Sequence, residues 1–215
     1  MNLAVLVPVK AFTAAKSRLA RVLSPDERRR LARWLAEGVI AATQGTPVFV
    51  VCDDAEVQRW AEACGATALW TAELGLNGAV DDGLAVLRRR GFEHVIVSHA
   101  DLPLPGRLLG VARRDTATFV PDPNSDGTNV MSFPLPAATE PMNVTASYGS
   151  RSFERHRDTA TAAGLSIEVR RDPELSLDLD TPHDLTHPLL REVLPTWLPT
   201  IQVNPYTHPP ALPRR

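Results

Sequence analysis

Short apolar runs alternate with helical segments along most of this chain, and this alternation constrains its fold more than any other feature. The clearest runs cover residues 3–9, 47–52 and 94–98. Each has the length and the apolar content of a strand that is buried on both faces of a parallel sheet. Weaker runs with the same interpretation cover residues 66–70, 117–120, 130–133 and 166–170.

Helical segments separate these runs. The best marked begins at Ser24, which can cap a helix, with Pro25 at its first position and Glu27 completing a capping box. This helix is predicted to extend to about residue 43, and others are predicted over 55–64, 76–90, 104–113 and 152–163. Strands that alternate with helices are joined by right-handed crossovers, so the pattern predicts an α/β fold with a mostly parallel, mixed sheet flanked by helices.

Composition excludes several classes of protein. The 215 residues fit one globular domain, and 44% hydrophobic residues exclude wholesale disorder. A net charge of −2, from 23 Lys and Arg against 25 Asp and Glu, argues against binding to nucleic acid. No apolar run approaches the ~20 residues that cross a membrane, and the N-terminal run lacks the pattern of a signal peptide. We therefore expect a cytoplasmic protein that binds neither nucleic acid nor membrane.

The C-terminal part differs in texture from the rest. Eight of the 19 prolines follow residue 180, and little helical or strand pattern remains from residue 195 onward. We predict one domain over residues 1–194 and a Pro-rich tail, extended or disordered, over 195–215. The two cysteines, Cys52 and Cys64, are too few for a disulfide framework or a thiolate zinc site and are assigned to packing.

Ligands of open parallel sheets bind beyond the carboxyl ends of the strands, which directs attention to the polar residues there. The first strand leads through Pro8 and Val9 into a segment with three cations, Lys10, Lys16 and Arg18. Together with backbone N–H groups they could bind a polyphosphate. The segment has neither the glycines of a Walker loop nor a GxGxxG fingerprint, and a solvated loop is an equal alternative.

Two further positions are candidates for nucleotide binding. Asp53, at the end of the second strand, could accept hydrogen bonds from a ribose or a base, or could cap the next helix. Asn77 and Gly78 lie where a helix begins, so that an amide and free N–H groups could meet a base or a phosphate. An Asn-Gly pair is equally typical of a plain turn.

A magnesium site is predicted at Asp101, which directly follows a buried strand and is followed by Pro103. Mg²⁺ takes one or two carboxylates together with phosphate oxygens and water. Asp178 or Asp180, which alternation places on one side of a strand, could supply the second carboxylate. His99 has no second histidine at a matching spacing and is not favoured as a ligand.

Two loops are candidates for binding an acceptor substrate. Thr128 offers a hydroxyl beside the start of a strand, and Gly149 and Ser152 immediately precede or begin a helix, where anions bind. Simple N-capping by Ser152 is the alternative, and the two roles are compatible.

Several motifs now occur in one order: PVK followed by AKSRLA, LSPDERRRLA, GLNGAV, HADLPL, DGTNV, YGSRSFERH and LSLDLDTPHDL. Together they resemble the 2-phospho-L-lactate and phosphoenolpyruvate guanylyltransferases of coenzyme F-420 (deazaflavin) biosynthesis, over about residues 3–190. The resemblance implies a Rossmann-like nucleotidyltransferase fold. It also implies that GTP and a three-carbon phosphate, phosphoenolpyruvate first among the candidates, give a guanosine-diphosphate-linked product and pyrophosphate with Mg²⁺.

The resemblance assigns roles residue by residue. Thr128, Gly149 and Ser152 match the residues that hold the acceptor phosphate, and Asp101 matches the metal-binding acid. Lys10, Lys16 and Arg18 match the basic phosphate loop. The chain departs from the family in a long segment over 134–146, in Tyr148 where Phe is common, and in the Pro-rich tail.

Rival interpretations belong to different classes. The same scaffold could carry a cytidylyl- or molybdopterin-type nucleotidyltransferase, or a nucleotide-binding protein without catalysis. The tail could serve protein interaction, and a homodimer and a downstream transferase that consumes the product are further candidate partners. Physics alone specifies neither the base nor the three-carbon acid.

Overall fold

A computed structural model describes residues 1–71, 75–142 and 144–199, and within them the chain forms one mixed sheet with helices on both faces. The strands are β1 (Leu3–Pro8), β2 (Val48–Cys52), β3 (Thr67–Trp70), β4 (His94–Ser98), β5 (Thr116–Pro121), β6 (Thr128–Pro134) and β7 (Ser166–Val169). The α-helices are α1 (Pro25–Ala41), α2 (Ala55–Ala63), α3 (Gly75–Arg89) and α4 (Ser152–Ala162). Short 3₁₀ turns cover Phe12–Ala14, Ser17–Leu19, Pro105–Val111, Asp184–Thr186 and Pro188–Leu190.

The strand order in this sheet is β3-β2-β1-β4-β6-β5-β7. The strand β6 pairs antiparallel with both of its neighbours, whereas all other pairs are parallel. The prediction of a mostly parallel, mixed sheet is confirmed. The strand β1 lies between β2 and β4, so the strand order changes direction there, and such a point opens a crevice at the carboxyl ends of the strands.

Alternate residues of β1 explain why the sheet is buried on both faces. Val5 and Val7 belong to the core layer beneath α1 and α2, while Ala4 and Leu6 belong to the layer beneath α3. All four are fully buried. A strand of this composition can lie only in the middle of a sheet that helices cover on both sides.

Helix α1 begins as its sequence predicts. The Ser24 side chain accepts the N–H of Glu27, and the Glu27 carboxylate accepts the N–H of Ser24, which completes the capping box in front of Pro25. Two backbone donors are thereby satisfied at the helix start. The apolar face then packs inward through Leu31, Leu35, Val39 and Ile40.

One predicted strand is wrong. The structure assigns no strand to residues 177–180. The Leu179 N–H donates to the Asp101 carbonyl at 3.2 Å. Within the described residues, no ladder of hydrogen bonds joins this segment to the sheet. Leu177 and Leu179 are buried against α1, so Asp178 and Asp180 still alternate with them, as predicted.

The segment that follows residue 194 continues to pack on the domain up to residue 199. Trp197 and Leu198 lie against the leucine cluster of α1, and the Arg30 guanidinium stands 4.3 Å from the centre of the Trp197 ring. Side chains beyond residue 194 therefore contribute to the packing of the domain. The remainder of the predicted tail lies outside the described residues, and no helix within the described ranges is long and apolar enough to cross a membrane.

Candidate active site

Two adjoining cavities open at the carboxyl ends of β1, β2 and β4. The first, of about 310 Å³, is lined by residues that include Lys16, His99 and Asp101. The second, of about 250 Å³, reaches Asp53 and the start of α3. Both share a wall made of Pro8, Val9, Lys10, Ala14 and Leu76. The predicted phosphate loop thus forms the partition of a two-part crevice that is large enough for a nucleotide and a small second substrate.

Lys16 is the buried cation of this crevice. It stands between two 3₁₀ turns in a left-handed conformation, with φ of 56°. Its ammonium lies 2.8 Å from the Asp101 carboxylate, and its side chain is only 6% exposed. A non-glycine residue held at positive φ is strained, and such strain is found where a side chain must be aimed at a site.

The two carboxylate oxygens of Asp101 have different surroundings. Its Oδ2 accepts from Lys16, whereas its Oδ1 is buried and has no hydrogen-bond partner among the described residues. Burial raises the pKa of this carboxyl, but the charges of Lys16 and His99 and the bond from Lys16 outweigh it, so that the pKa of Asp101 is lowered overall. Asp101 is therefore an anion, and one of its oxygens makes no hydrogen bond within the described residues.

Asp178 and Asp180 approach this centre in different ways. Asp180 is already paired, with one oxygen 2.7 Å from Arg18 and the other 3.7 Å from Lys16. Burial raises the pKa of Asp178 to about 6, and the charge of Asp101 adds to the effect. The third predicted cation, Arg18, is 70% exposed and reaches the crevice only through Asp180.

Of the residues predicted to bind nucleotide, Asp53 lines the second cavity and is exposed. Its alternative role as a helix cap belongs to its neighbour Asp54, whose Oδ1 accepts the N–H groups of Glu56 and Val57. Asp53 is thus left open to a ligand.

Asn77 and Gly78 lie within the first turn of α3. The Asn77 amide makes two hydrogen bonds to the backbone of Tyr148: its Oδ1 accepts the N–H at 2.7 Å and its Nδ2 donates to the carbonyl at 3.3 Å. The amide that was predicted to meet a base or a phosphate therefore holds a distant loop.

The two predicted acceptor loops come together in the fold. The Asp126 carboxylate accepts the Arg151 N–H at 2.9 Å, and the Asp126 carbonyl accepts the Phe153 N–H at 3.1 Å. Thr128 and Ser152 are both buried, with 1% and 2% exposure. These bonds join the start of β6 to the start of α4, as binding by both loops of one small anion requires.

Gly149 and Ser152 have distinct backbone roles. Gly149 has φ of 118°, a conformation that side chains rarely adopt, and its carbonyl accepts the Ser152 N–H at 3.1 Å. The N-cap position of α4 is occupied by Arg151, whose side chain makes no cap bond. Ser152 is thus the first helical residue, and the alternative that it caps the helix is not what the structure shows.

Three aromatic side chains that sequence reasoning did not assign connect the two halves of the site. The His99 and Tyr148 rings are 5.1 Å apart, and the Tyr148 and His156 rings 4.8 Å apart. His156 in turn contacts Thr128, and His99 lies beside Asp101. The quoted motifs HADLPL and YGSRSFERH contain all three residues, but only the fold shows that they touch.

The loop over 134–146, predicted to be irregular, contains no helix or strand among its described residues after Pro134. Its end is held firmly, because three consecutive backbone N–H groups each donate to a different side chain. These donors and acceptors are Ala146 to Asp81 at 2.7 Å, Ser147 to His156 at 2.8 Å and Tyr148 to Asn77 at 2.7 Å.

The chain has the fold of nucleotidyltransferases, with a lysine and an aspartate facing each other at the switch point of the mixed sheet. Solved structures support the fold. A protein from Desulfovibrio desulfuricans assigned to the nucleotide-diphospho-sugar transferases superposes with a TM-score of 0.72 over 88% of both chains, at 16% identity. A nucleotidyl transferase from Methanothermobacter gives 0.56 at 12% identity, over 89% of this chain and 95% of that one.

The chain belongs to the family described as "Guanylyl transferase CofC like", whose model matches residues 3–192. It is 36% identical to a phosphoenolpyruvate guanylyltransferase from Sphaerobacter thermophilus, over 86% of this chain and 91% of that protein. It is 32% identical to a 2-phospho-L-lactate guanylyltransferase from Methanothermobacter thermautotrophicus, over 86% and 83%. The predicted resemblance and the predicted enzyme class are confirmed.

Proposed function

We propose that this protein transfers GMP from GTP to a small phosphorylated three-carbon acid, phosphoenolpyruvate before 2-phospho-L-lactate, and releases pyrophosphate. The relatives named for these two acids and the family description support the reaction. The observation that carries it is the ion pair of the buried Lys16 and the partly buried Asp101 at the switch point, with one Asp101 oxygen that makes no hydrogen bond among the described residues.

The chemistry joins two anions. An oxygen of the acceptor phosphate attacks the α-phosphorus of GTP, the bond from that phosphorus to the bridging oxygen of the β-phosphate breaks, and pyrophosphate leaves with its electron pair. A phosphate is already a nucleophile at neutral pH, so no side chain has to remove a proton. Lys10 and Lys16 lower the repulsion between the two substrates, and the crevice fixes their orientation.

Asp101 fits a divalent cation such as Mg²⁺. Its Oδ1 is an unpartnered buried carboxylate oxygen, and Asp178 or Asp180 would supply a second carboxylate. No group of three or more His, Cys, Asp or Glu side chains that could hold a metal ion occurs among residues 1–71, 75–142 and 144–199. In this proposal Mg²⁺ would therefore take its remaining ligands from phosphate oxygens and water. When bound, Mg²⁺ would neutralise charge that develops on the phosphates.

Pyrophosphate release tests the reaction, because the guanylylated product could be labile. Purified protein is given each nucleoside triphosphate with phosphoenolpyruvate, 2-phospho-L-lactate or 3-phosphoglycerate, with Mg²⁺ or with a chelator in excess. We expect release that needs GTP, one acid and Mg²⁺ together. Release with CTP in place of GTP would favour the cytidylyl alternative, and no release with any pair would contradict the proposed reaction.

The proposal includes a place in a reaction sequence. A phosphoanhydride-linked product is an activated donor, so a downstream transferase would consume it, as coenzyme F-420 biosynthesis requires. The cytoplasmic location and a homodimer stay predictions. Both are separate from the chemistry of the crevice.

A further inference from the structure

His156 lies outside the crevice but makes two hydrogen bonds that define its state. It is fully buried on α4. The backbone N–H of Ser147 donates to its Nε2 at 2.8 Å, and its Nδ1 lies 3.0 Å from the Thr128 hydroxyl oxygen.

These two contacts determine which ring nitrogen carries the proton. A backbone N–H can only donate, so Nε2 must be the acceptor, and a neutral imidazole then carries its proton on Nδ1. That proton is donated to the oxygen of Thr128. Because the Thr128 oxygen already accepts this bond, its own hydrogen is directed elsewhere.

We propose that His156 is a positioning residue which orients the Thr128 hydroxyl as a hydrogen-bond donor toward the anionic acceptor substrate, and which holds the Ser147 backbone at the same time. The inference rests on the proposed function and on the assignment of Thr128 to the acceptor phosphate, which the family resemblance implies. His156 is the histidine of α4, and its proposed role involves neither metal binding nor proton transfer.

The surroundings of His156 keep the ring neutral, as this arrangement needs. Burial lowers its pKa to about 4, and the positive charges of Arg155 and of any protonated His99 lower it further. The Tyr148 ring packs against the imidazole with its centroid at 4.8 Å. No carboxylate is hydrogen-bonded to the ring among the described residues, so nothing there stabilises a protonated form.

Two substitutions separate the two hydrogen bonds. His156→Asn places an amide near the Nδ1 position and can still donate to Thr128, while His156→Gln places one near the Nε2 position and can still accept from Ser147. We expect His156→Gln to raise KM for the acceptor about tenfold with KM for GTP unchanged, and His156→Asn to keep it within about threefold. In a Thr128→Val background, His156→Gln should add nothing, because no hydroxyl remains to be oriented.

An equal rise in KM for the acceptor in both variants would show that His156 serves stability alone. So would a further tenfold rise in that KM when His156→Gln is added to Thr128→Val. Thermal unfolding of each variant identifies those that fail to fold. Nitrogen-15 NMR of the imidazoles in the wild-type protein gives a second readout that does not depend on activity, and we expect the Nδ1–H tautomer for His156 at pH 7. The Nε2–H tautomer would overturn the inference even in an active enzyme, whereas the Nδ1–H tautomer in a protein without guanylyl transfer would locate the failure in the proposed function.

Discussion

Asp101 offers a sharp test at the scale of a single residue. Replacing it by Asn keeps the shape but removes the charge that faces Lys16 and the crevice. We expect Asp101→Asn to lower kcat by about 100-fold or more while the fold persists, measured as pyrophosphate release and thermal unfolding. Asp158→Asn, on the exposed side of α4, is the matched control. Turnover near the wild-type value would overturn the role of Asp101 in binding a cation.

The acceptor residues should behave differently from Asp101. Thr128→Val and Ser152→Ala each remove a buried hydroxyl at the joined loops. We expect each to raise KM for the acceptor about tenfold and to leave KM for GTP unchanged, since a hydrogen bond to a charged group is lost. Thr43→Val removes a buried hydroxyl whose one hydrogen bond among the described residues is to the Ile40 carbonyl, and it controls for stability. An effect confined to GTP would contradict this map of the site.

Residues that act directly at strand ends were predictable, whereas residues that act through another residue were not. Lys16 and Asp101 were candidates because they follow buried strands, and Asp180 was a candidate because it alternates with leucines. The structure brings the three together. His156 reaches Thr128 over 28 positions of the sequence. No spacing rule connects positions that far apart, because only the folded sheet makes them neighbours.

At the scale of elements, helix α3 connects the two halves of the site. Its first turn borders the second cavity, and Asn77 in that turn binds both backbone groups of Tyr148. We expect Asn77→Ala to raise KM for the acceptor about fivefold and to leave KM for GTP unchanged, since the lost bonds hold the acceptor loop. Steady-state kinetics with each substrate varied in turn measures the split.

A raised KM for GTP with an unchanged KM for the acceptor would support the prediction made from the sequence, in which Asn77 binds the nucleotide. Gln58→Ala provides the control, because its amide on α2 contacts only Glu62. The two interpretations therefore give opposite kinetic signatures in one variant.

The sequence predicted most elements because their signals are local. The capping box of α1 and the β-branched runs of β1, β2 and β4 depend only on neighbouring residues. Residues 177–180 have the alternation of a strand, but they pair with no strand in the part of the chain that the structure describes. The alternation of apolar and polar residues predicts which side chains are buried. It does not predict whether the segment has a neighbouring strand with which to pair.

At the scale of the whole molecule, buried histidines make stability depend on pH. Burial lowers the pKa of both His94 and His156 to about 4, from 6.5. The unfolded chain therefore binds more protons than the folded one between about pH 4 and 6.5, and stability falls as the pH drops through that window. Asp178, with its pKa raised to about 6, acts in the opposite direction. From these three groups together we expect a loss of about 2 kcal/mol from pH 7 to pH 5, and the lowered pKa of the buried His99 acts in the same direction.

Chemical denaturation at the two pH values measures this loss. His94→Gln retains an amide within reach of Ser132, the partner of His94 at 2.8 Å, but cannot titrate. We expect its loss between pH 7 and pH 5 to be smaller than that of the wild type by about 2 kcal/mol, whatever its absolute stability. An unchanged difference would show that His94 does not titrate with this shift.

The direction of β6 shows what the sequence leaves open for the molecule as a whole. The apolar run of β6 resembles the runs of the strands that pair in parallel. The strand β6 nevertheless runs antiparallel between β4 and β5. The spacing of apolar residues along a strand predicts burial but not strand direction. The prediction could therefore state only that the sheet is mixed.

The three consecutive N–H groups pinned at residues 146–148 have an evolutionary consequence. They anchor the chain immediately before Gly149, so a change of length in the preceding loop is absorbed upstream of the anchor. The loop can therefore diverge between lineages, acquiring contacts to other molecules or losing them, while the catalytic geometry is inherited intact. The long connection of this chain can therefore vary, provided that Asp81, His156 and Asn77 keep their hydrogen bonds to its end.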